Sequence, residues 1–302
     1  MHFTTDTPSK KTVFMGLIRL MRPKQWIKNV FVLAPLMFTG LFLDIQSVTQ
    51  SIIVMILFCA ASSATYILND LKDIEADRRH PKKSKTRPLA QGIVKPKQAI
   101  VLLIGLYACL VVGFVFQPQS VFVICCYLCL NLAYTYFLKH QPVIDIFVIA
   151  IGFVLRTWAG AQALDVELSS WMFITTLSLA LYLAAVKRRQ ELYLSGEKGR
   201  SVLKHYTVEL VDKYAEMSAT AALLFYSLFV MDKHENLVIT IPFVLFGLFR
   251  YWFIVESNEE GESPTDALYS DPQLIICILA WLGVCTWVLW PTNIICLEKC
   301  LY

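Results

Sequence analysis

The sequence predicts an all-α fold, a polytopic membrane bundle of about nine transmembrane helices. Three observations carry that expectation. Of 302 residues, 57% are hydrophobic and only 17% are charged, too little polar sequence to wrap so many apolar helices in water. The apolar residues gather in runs, such as SIIVMILFCAASSATYIL (51–68) and AIVLLIGLYACLVVGFVF (99–116). These reach or approach the roughly 20 helical residues that a bilayer core requires. Finally, 24 of the 27 Lys and Arg residues fall in segments that such a bundle places on one side.

Taken in order, the first span (28–44) follows a basic approach holding Lys10, Lys11, Arg19, Arg22, Lys24 and Lys28. It hands over directly to 50–69, and so reads as a span and not a cleaved leader. Spans at 99–116 and 120–138 are separated by so few residues that a tight hairpin must join them. A second short link at 139–141 leads to 142–162. Spans at 170–187, 213–231, 237–254 and 273–290 complete the set. The loop at 70–97 and the region at 187–213 carry most of the remaining cations. The N-terminus and these regions are therefore expected at the cytoplasmic face, and an odd number of spans sends the C-terminus out. Residues 1–302 read as a single integral membrane catalytic domain with cytoplasmic caps near 70–97 and 187–213. A basic face of this kind attracts membrane lipids and anionic small substrates. No Walker, dinucleotide-binding or zinc-finger spacing occurs, and no nucleic-acid partner is expected. The CCxxC of Cys125, Cys126 and Cys129 lies inside an apolar helix and reads as packing. Small residues from Ala60 to Ala64 and at Gly152 suit helix contacts within one chain or in a homo-oligomer.

The stretch YILNDLKDIEADRRHPKKSKTRPLAQG (66–92) places acids and cations at the mouth of the second span. On a continuous helix, Asp70, Asp73 and Asp77 turn towards one face with Asn69 beside them. Stacked carboxylates near a bilayer call for compensation. Mg²⁺ supplies it, because it takes one or two carboxylates and completes its shell with water and substrate phosphates. Arg78, Arg79, Lys82, Lys83, Lys85 and Arg87 then neutralise the remaining phosphate charge. A solvated helix end and a cation-transport site are the competing readings, and the basic loop weighs against cation passage.

NDLKDIEAD (69–77) resembles the NDxxDxxxD signature of the UbiA superfamily of intramembrane prenyltransferases, and TRPLAQG (86–92) resembles the segment that follows it there. The resemblance covers nearly the whole chain. It implies a UbiA-like helical bundle around a cavity capped on the cytoplasmic side. It also implies Mg²⁺ and diphosphate at Asn69, Asp73 and Asp77, with Asp70 in support. One departure stands out. Where the family carries a second acidic motif, DxxxD, this chain has AAVKRRQELYL (184–194), with Glu191 as its only acid. That shift towards positive charge argues for a substrate more anionic than one lipid diphosphate, or for a differently arranged metal site. LMRPKQWIKNVFVLAPL (20–36), 131–160 and LYLAAVKRRQEL (181–192) are similar to one branch of the superfamily. Its resemblance implies transfer of 5-phosphoribose from phosphoribosyl pyrophosphate to a polyprenyl phosphate, decaprenyl phosphate in that branch, for cell-wall arabinan precursors. The alternatives are an aromatic prenyltransferase using a prenyl diphosphate and a lipid or ion transporter.

The expected ligand set follows the same logic. Lys24 and Lys28 lie one turn apart where the first span begins, and Arg78 and Lys85 are the preferred phosphate ligands of the loop. Lys82 and Lys83 read as solvated. Tyr134, Lys139 and Asp145 cluster at the hairpin between spans four and five, where Lys139 contacts phosphate and Asp145 orients a base, binds ribose, supports the metal, or else caps the helix or pairs with Lys139. Lys187 and Glu191 share a helix face, and Arg188 is the better free phosphate donor by its fork geometry. Arg156 lies deep in its span, where a charge costs roughly 2.5–3.5 kcal/mol. It is expected to face inward and meet either an anion, substrate phosphate or an active-site carboxylate, or a structural polar partner. Asp212 and Glu216 start the next span and read as structural.

Overall fold

The computed structural model describes residues 10–79, 83–195, 201–257 and 271–290. Among these residues the regular structure is helical. In chain order the α-helices are α1 (Lys10–Met21), α2 (Ala34–Phe38), α3 (Ile45–Lys72), α4 (Ile74–Arg79), α5 (Lys83–Thr86), α6 (Pro96–Phe116), α7 (Pro118–Tyr136), α8 (Ile144–Ala163), α9 (Ser170–Ser195), α10 (Val208–Lys233), α11 (Ile241–Ser257) and α12 (Pro272–Val288). Seven helical segments are long and apolar enough to cross a membrane: α3, α6, α7, α8, α9 through Tyr193, α10, and Glu235–Ser257. The protein is thus an all-α, polytopic membrane protein. Helix α12 is apolar but shorter, at 17 residues.

The segment expected as one span over 28–44 is instead broken. A 3₁₀ stretch (Pro23–Leu33) leads into α2, and another (Leu41–Leu43) follows Gly40. Pro35 has no N–H to donate to Phe31, whose carbonyl accepts from Ala34 instead, and Gly40 adopts φ 75° at the next break. Apolar composition hid these backbone interruptions.

Elsewhere the boundaries follow local chemistry. Asp44 caps α3 by accepting from the Ser47 N–H at 2.8 Å and the Ser47 hydroxyl at 2.6 Å. Proline opens α6, α7 and α12, where a missing N–H costs nothing. Gln117 alone separates α6 from α7, giving the tight hairpin expected there.

Helix α8 lies at the centre, with 72% of its apolar window buried, whereas α6 buries only 22% and presents Val101, Val111, Val115 and Phe116 outward. Helix α8 packs against α7, α9 and the first 3₁₀ stretch, and α9 packs along α10. One apolar core joins α3, α6, α7 and α8 through Phe58, Ile124 and Ala159, and another joins α9, α10 and α11 through Val186, Val211 and Ile254. Gly160 lets α8 touch the 3₁₀ backbone. A Cβ there would fall on the Val32 carbonyl, and backbone has no rotamer with which to yield. Gly160→Ala should therefore lower stability by at least about 1–3 kcal/mol. A melting midpoint in detergent equal to that of the parent protein would refute this packing.

Candidate active site

The acidic motif does not lie on one uninterrupted helix. Helix α3 ends at Lys72, Asp73 takes φ −98° and ψ 11° as its C-cap, and α4 starts at Ile74. The i, i+3, i+7 spacing shares a face only on continuous helix, and the break at Asp73 separates the acids into three environments.

Asp70 is buried, 4% exposed. It accepts from Arg22 Nη2 at 2.5 Å through Oδ1 and from Arg87 Nη1 at 3.0 and 3.2 Å through both oxygens. Its expected support of a metal gives way to an arginine clamp. Asp77 is equally buried, and its Oδ1 lies 2.9 Å from Lys83 Nζ in an ion pair that lacks hydrogen-bond geometry. Asp73 is half-buried and pairs with nothing among the described residues. The Asn69 amide oxygen accepts from the Thr135 hydroxyl at 3.1 Å, leaving one lone pair. Asn69 and Thr135 also line a small cleft among α3, α6 and α7, with Thr65, Tyr107 and Asn131. Asn131 itself donates to the Tyr127 carbonyl within α7.

Among the described residues no three His, Cys, Asp or Glu side chains gather as a ready metal cage. The available donors are two carboxylates and one amide. Such a set fits Mg²⁺, which binds through one or two carboxylates and relies on substrate phosphates for the rest, and it does not suit an all-protein site.

The cations distribute differently from expectation. Arg78 is exposed and pairs with Glu75 at 2.8 Å, and Lys85 is exposed on α5, so neither reaches the acids. Lys83, expected to be solvated, is the residue that meets Asp77. Lys82 lies outside the described residues. Lys24 is exposed on the first 3₁₀ stretch, Lys28 is half-buried there, and Lys139 is half-buried at the α7–α8 hairpin.

A second cluster unites residues singled out separately in the sequence. Arg188 is fully buried and donates to Asp145 at 2.5 Å, Glu191 at 2.8 Å and the Tyr134 hydroxyl at 3.1 Å. It is committed to protein partners, not free for phosphate. Asp145, also fully buried, accepts additionally from Tyr206 at 2.7 Å, so Arg188 and Tyr206 take the place expected for Lys139. The Val143 N–H donates to the Tyr206 oxygen, holding a valine at φ 68°, a conformation β-branched residues rarely adopt. Burial, then the hydrogen bond to Asp145, pushes the Tyr206 hydroxyl far above its ordinary pKa, so it stays a donor. Lys187, half-buried, precedes this cluster on α9. Tyr206 carries no periodic or motif signal and was not legible in advance.

Arg156 does face inward, but among the described residues no carboxylate meets it. Its Nε donates to Asn29 at 2.8 Å, Nη1 to the Gly152 carbonyl at 2.6 Å and Nη2 to the Tyr127 hydroxyl at 3.1 Å. Rings of Tyr127, Phe153 and Phe58 lie 4.8, 5.2 and 5.3 Å from the guanidinium. A neutral polar and aromatic shell surrounds it, which matches the structural polar partner among the two expectations. Arg189 pairs with Asp212 at 2.6 Å and Glu256 at 2.5 Å, tying α9 to α10 and α11, so Asp212 is structural as expected. Arg250 holds Asp271 at the start of α12.

The fold and this site define a helical membrane protein in which arginine and lysine side chains hold two of the three acids of the motif. Residues 32–270 match the pattern of the UbiA prenyltransferase family, and the chain belongs to that family. It is 36% identical over 296 residues to decaprenyl-phosphate phosphoribosyltransferase of Mycolicibacterium smegmatis, covering 90% of this chain and 92% of that protein. It is 33% identical to the protein of that name in Corynebacterium glutamicum, covering 90% and 86%. Among solved structures, a UbiA homolog from Archaeoglobus fulgidus bound to GPP and Mg²⁺ superposes with TM-score 0.68 at 17% identity, over 91% of this chain and 99% of that one. At that identity the likeness concerns the fold.

Proposed function

We propose that this protein transfers 5-phosphoribose from phosphoribosyl pyrophosphate to a polyprenyl phosphate, decaprenyl phosphate by its relatives' names, releasing pyrophosphate for cell-wall arabinan precursor synthesis. The observation that carries this reading is the charge balance of the site. Asp73 is half-buried without a partner among the described residues, Asp77 is buried against Lys83, Arg22 and Arg87 share Asp70, and KRRQE replaces the second acidic motif. Such a balance suits a donor with both a diphosphate and a phosphomonoester. Identity of 33–36% over nearly the full length to proteins named for this reaction supports it.

In this reading Asn69, Asp73 and Asp77 hold Mg²⁺. Bound there, the ion would neutralise the charge developing on the departing diphosphate. The bond from ribose C1 to the diphosphate oxygen breaks with its electron pair leaving on pyrophosphate, and a phosphate oxygen of the lipid forms the new bond to C1. The acceptor is already anionic near neutral pH, so no strong general base is required. The chain's own contribution is alignment and fixed positive charge: Lys83 beside Asp77, Lys24, Lys28, Lys139 and Lys187 around the mouth, and Asp145 and Arg188 stiffening the α7–α9 wall. We further propose that the broken N-terminal segment and α12 also cross the bilayer. That makes nine crossings in one catalytic domain, with the N-terminus and active site cytoplasmic.

Purified protein should incorporate label from ribose-labelled phosphoribosyl pyrophosphate into a polyprenyl phosphate in a Mg²⁺-dependent manner. Absence of transfer with several acceptor lengths, alongside prenylation of an aromatic acid from a prenyl diphosphate, would reassign the reaction.

A further inference from the structure

We propose that Arg22 and Arg87, aligned by Asp70, form a phosphomonoester site separate from the metal–diphosphate site at Asp73 and Asp77. The inference rests on the reaction proposed above and names where its second phosphate is held. One buried carboxylate shared by two guanidinium groups leaves a unit of positive charge in excess. Each guanidinium has five N–H donors on three nitrogens, and Asp70 engages only one nitrogen of each side chain. The Arg22 Nε is buried with no acceptor among the described residues, so the donor capacity of this fork is not filled by protein. Both arginines keep about a quarter of their side chains exposed, 24% and 26%, so a ligand can reach them.

The arrangement is held in advance. Arg22 stands between α1 and the 3₁₀ stretch with φ 55° and ψ 62°, a left-handed conformation that a non-glycine residue keeps only when its surroundings enforce it. Its guanidinium lies 4.4 Å over the Tyr66 ring, which fixes the plane of the fork. Two guanidinium forks match the oxygens of a phosphomonoester better than ammonium groups do. A diphosphate bound with Mg²⁺ has much of its charge neutralised by the ion, whereas a monoester dianion must be matched by fixed cations. Asp70, already spent on the arginines, is a positioning residue and touches neither metal nor ligand. The reaction offers two monoesters of this chemistry, the 5-phosphate of the sugar donor and the phosphate of the lipid acceptor.

Arg22→Lys, Arg87→Lys and Asp70→Asn test the site in purified full-length protein, by equilibrium binding of three probes: ribose 5-phosphate, a short-chain polyprenyl phosphate, and inorganic pyrophosphate with Mg²⁺. Each variant should weaken one monoester roughly tenfold or more, the size of a lost charge-assisted hydrogen bond, while pyrophosphate stays within about twofold. The monoester that moves identifies which phosphate the arginines hold. Pyrophosphate affinity falling in parallel, or both monoesters unchanged in variants that melt like the parent, would overturn the site. Two lysine variants, on separate segments, keep the test open should Asp70→Asn fail to fold. Parent protein that bound none of the probes would overturn the reaction reading itself, and this site with it.

Discussion

Arg188→Met should destabilise the protein by about 3–5 kcal/mol, the cost of removing one partner from a buried ion pair. Asp145 would remain fully buried, with Tyr206 and the Val143 turn still around it and no cation to offset its charge. Arg188 also joins α9 to α7 through Tyr134, so its loss uncouples three helices at once. Against a total stability of about 5–15 kcal/mol, that is a large fraction. The expected readout is a lowered unfolding midpoint in detergent and a lower yield of monodisperse protein. Pairing the change with Asp145→Leu should recover much of the loss, since an apolar pair of similar volume avoids the desolvation penalty. A single variant as stable as the parent would show that Arg188 is not the hub, and would return it to the pool of phosphate ligands.

The bundle was legible because a bilayer sets the length of an apolar run, and the runs at 51–68 and 99–116 announce themselves without tertiary information. Within the site, the signals that failed were those that assumed regular backbone or short range. The stop at Asp73 has neither glycine nor proline to mark it, so the three aspartates were placed on a common face that does not exist. Glu191 lies only three residues from Arg188, yet helix spacing sets it against Lys187, and Asp145 and Tyr134 lie 43 and 54 residues away. Arg156 shows the same limit. Its depth foretold an inward direction, while its partner Asn29 is 127 residues distant and neutral. Arg87 stood in plain view within TRPLAQG, yet composition alone cannot say which cation of a basic loop bends back onto a buried acid.

The second large effect concerns the acids that carry the proposed chemistry. Asp73→Asn or Asp77→Asn should lower transfer about 10³-fold, because a metal that stabilises leaving-group charge contributes several kcal/mol and each 1.36 kcal/mol is a factor of ten. The two should differ in their structural cost. Asp73 caps the end of α3 through its backbone and its carboxylate pairs with nothing among the described residues, so its amide variant should melt like the parent. Asp77 is buried against Lys83, and its amide removes an ion pair that is 43% exposed on the lysine side, a contact worth about 0–1 kcal/mol after screening. Lys83→Gln therefore separates the two contributions: it removes the pair while keeping the carboxylate, and should reduce transfer far less than Asp77→Asn. Metal binding gives a readout independent of turnover, since both aspartate variants should lose the stabilisation that Mg²⁺ with pyrophosphate confers on the parent. Either variant transferring phosphoribose at the parent rate, at limiting Mg²⁺, would remove that carboxylate from the metal site.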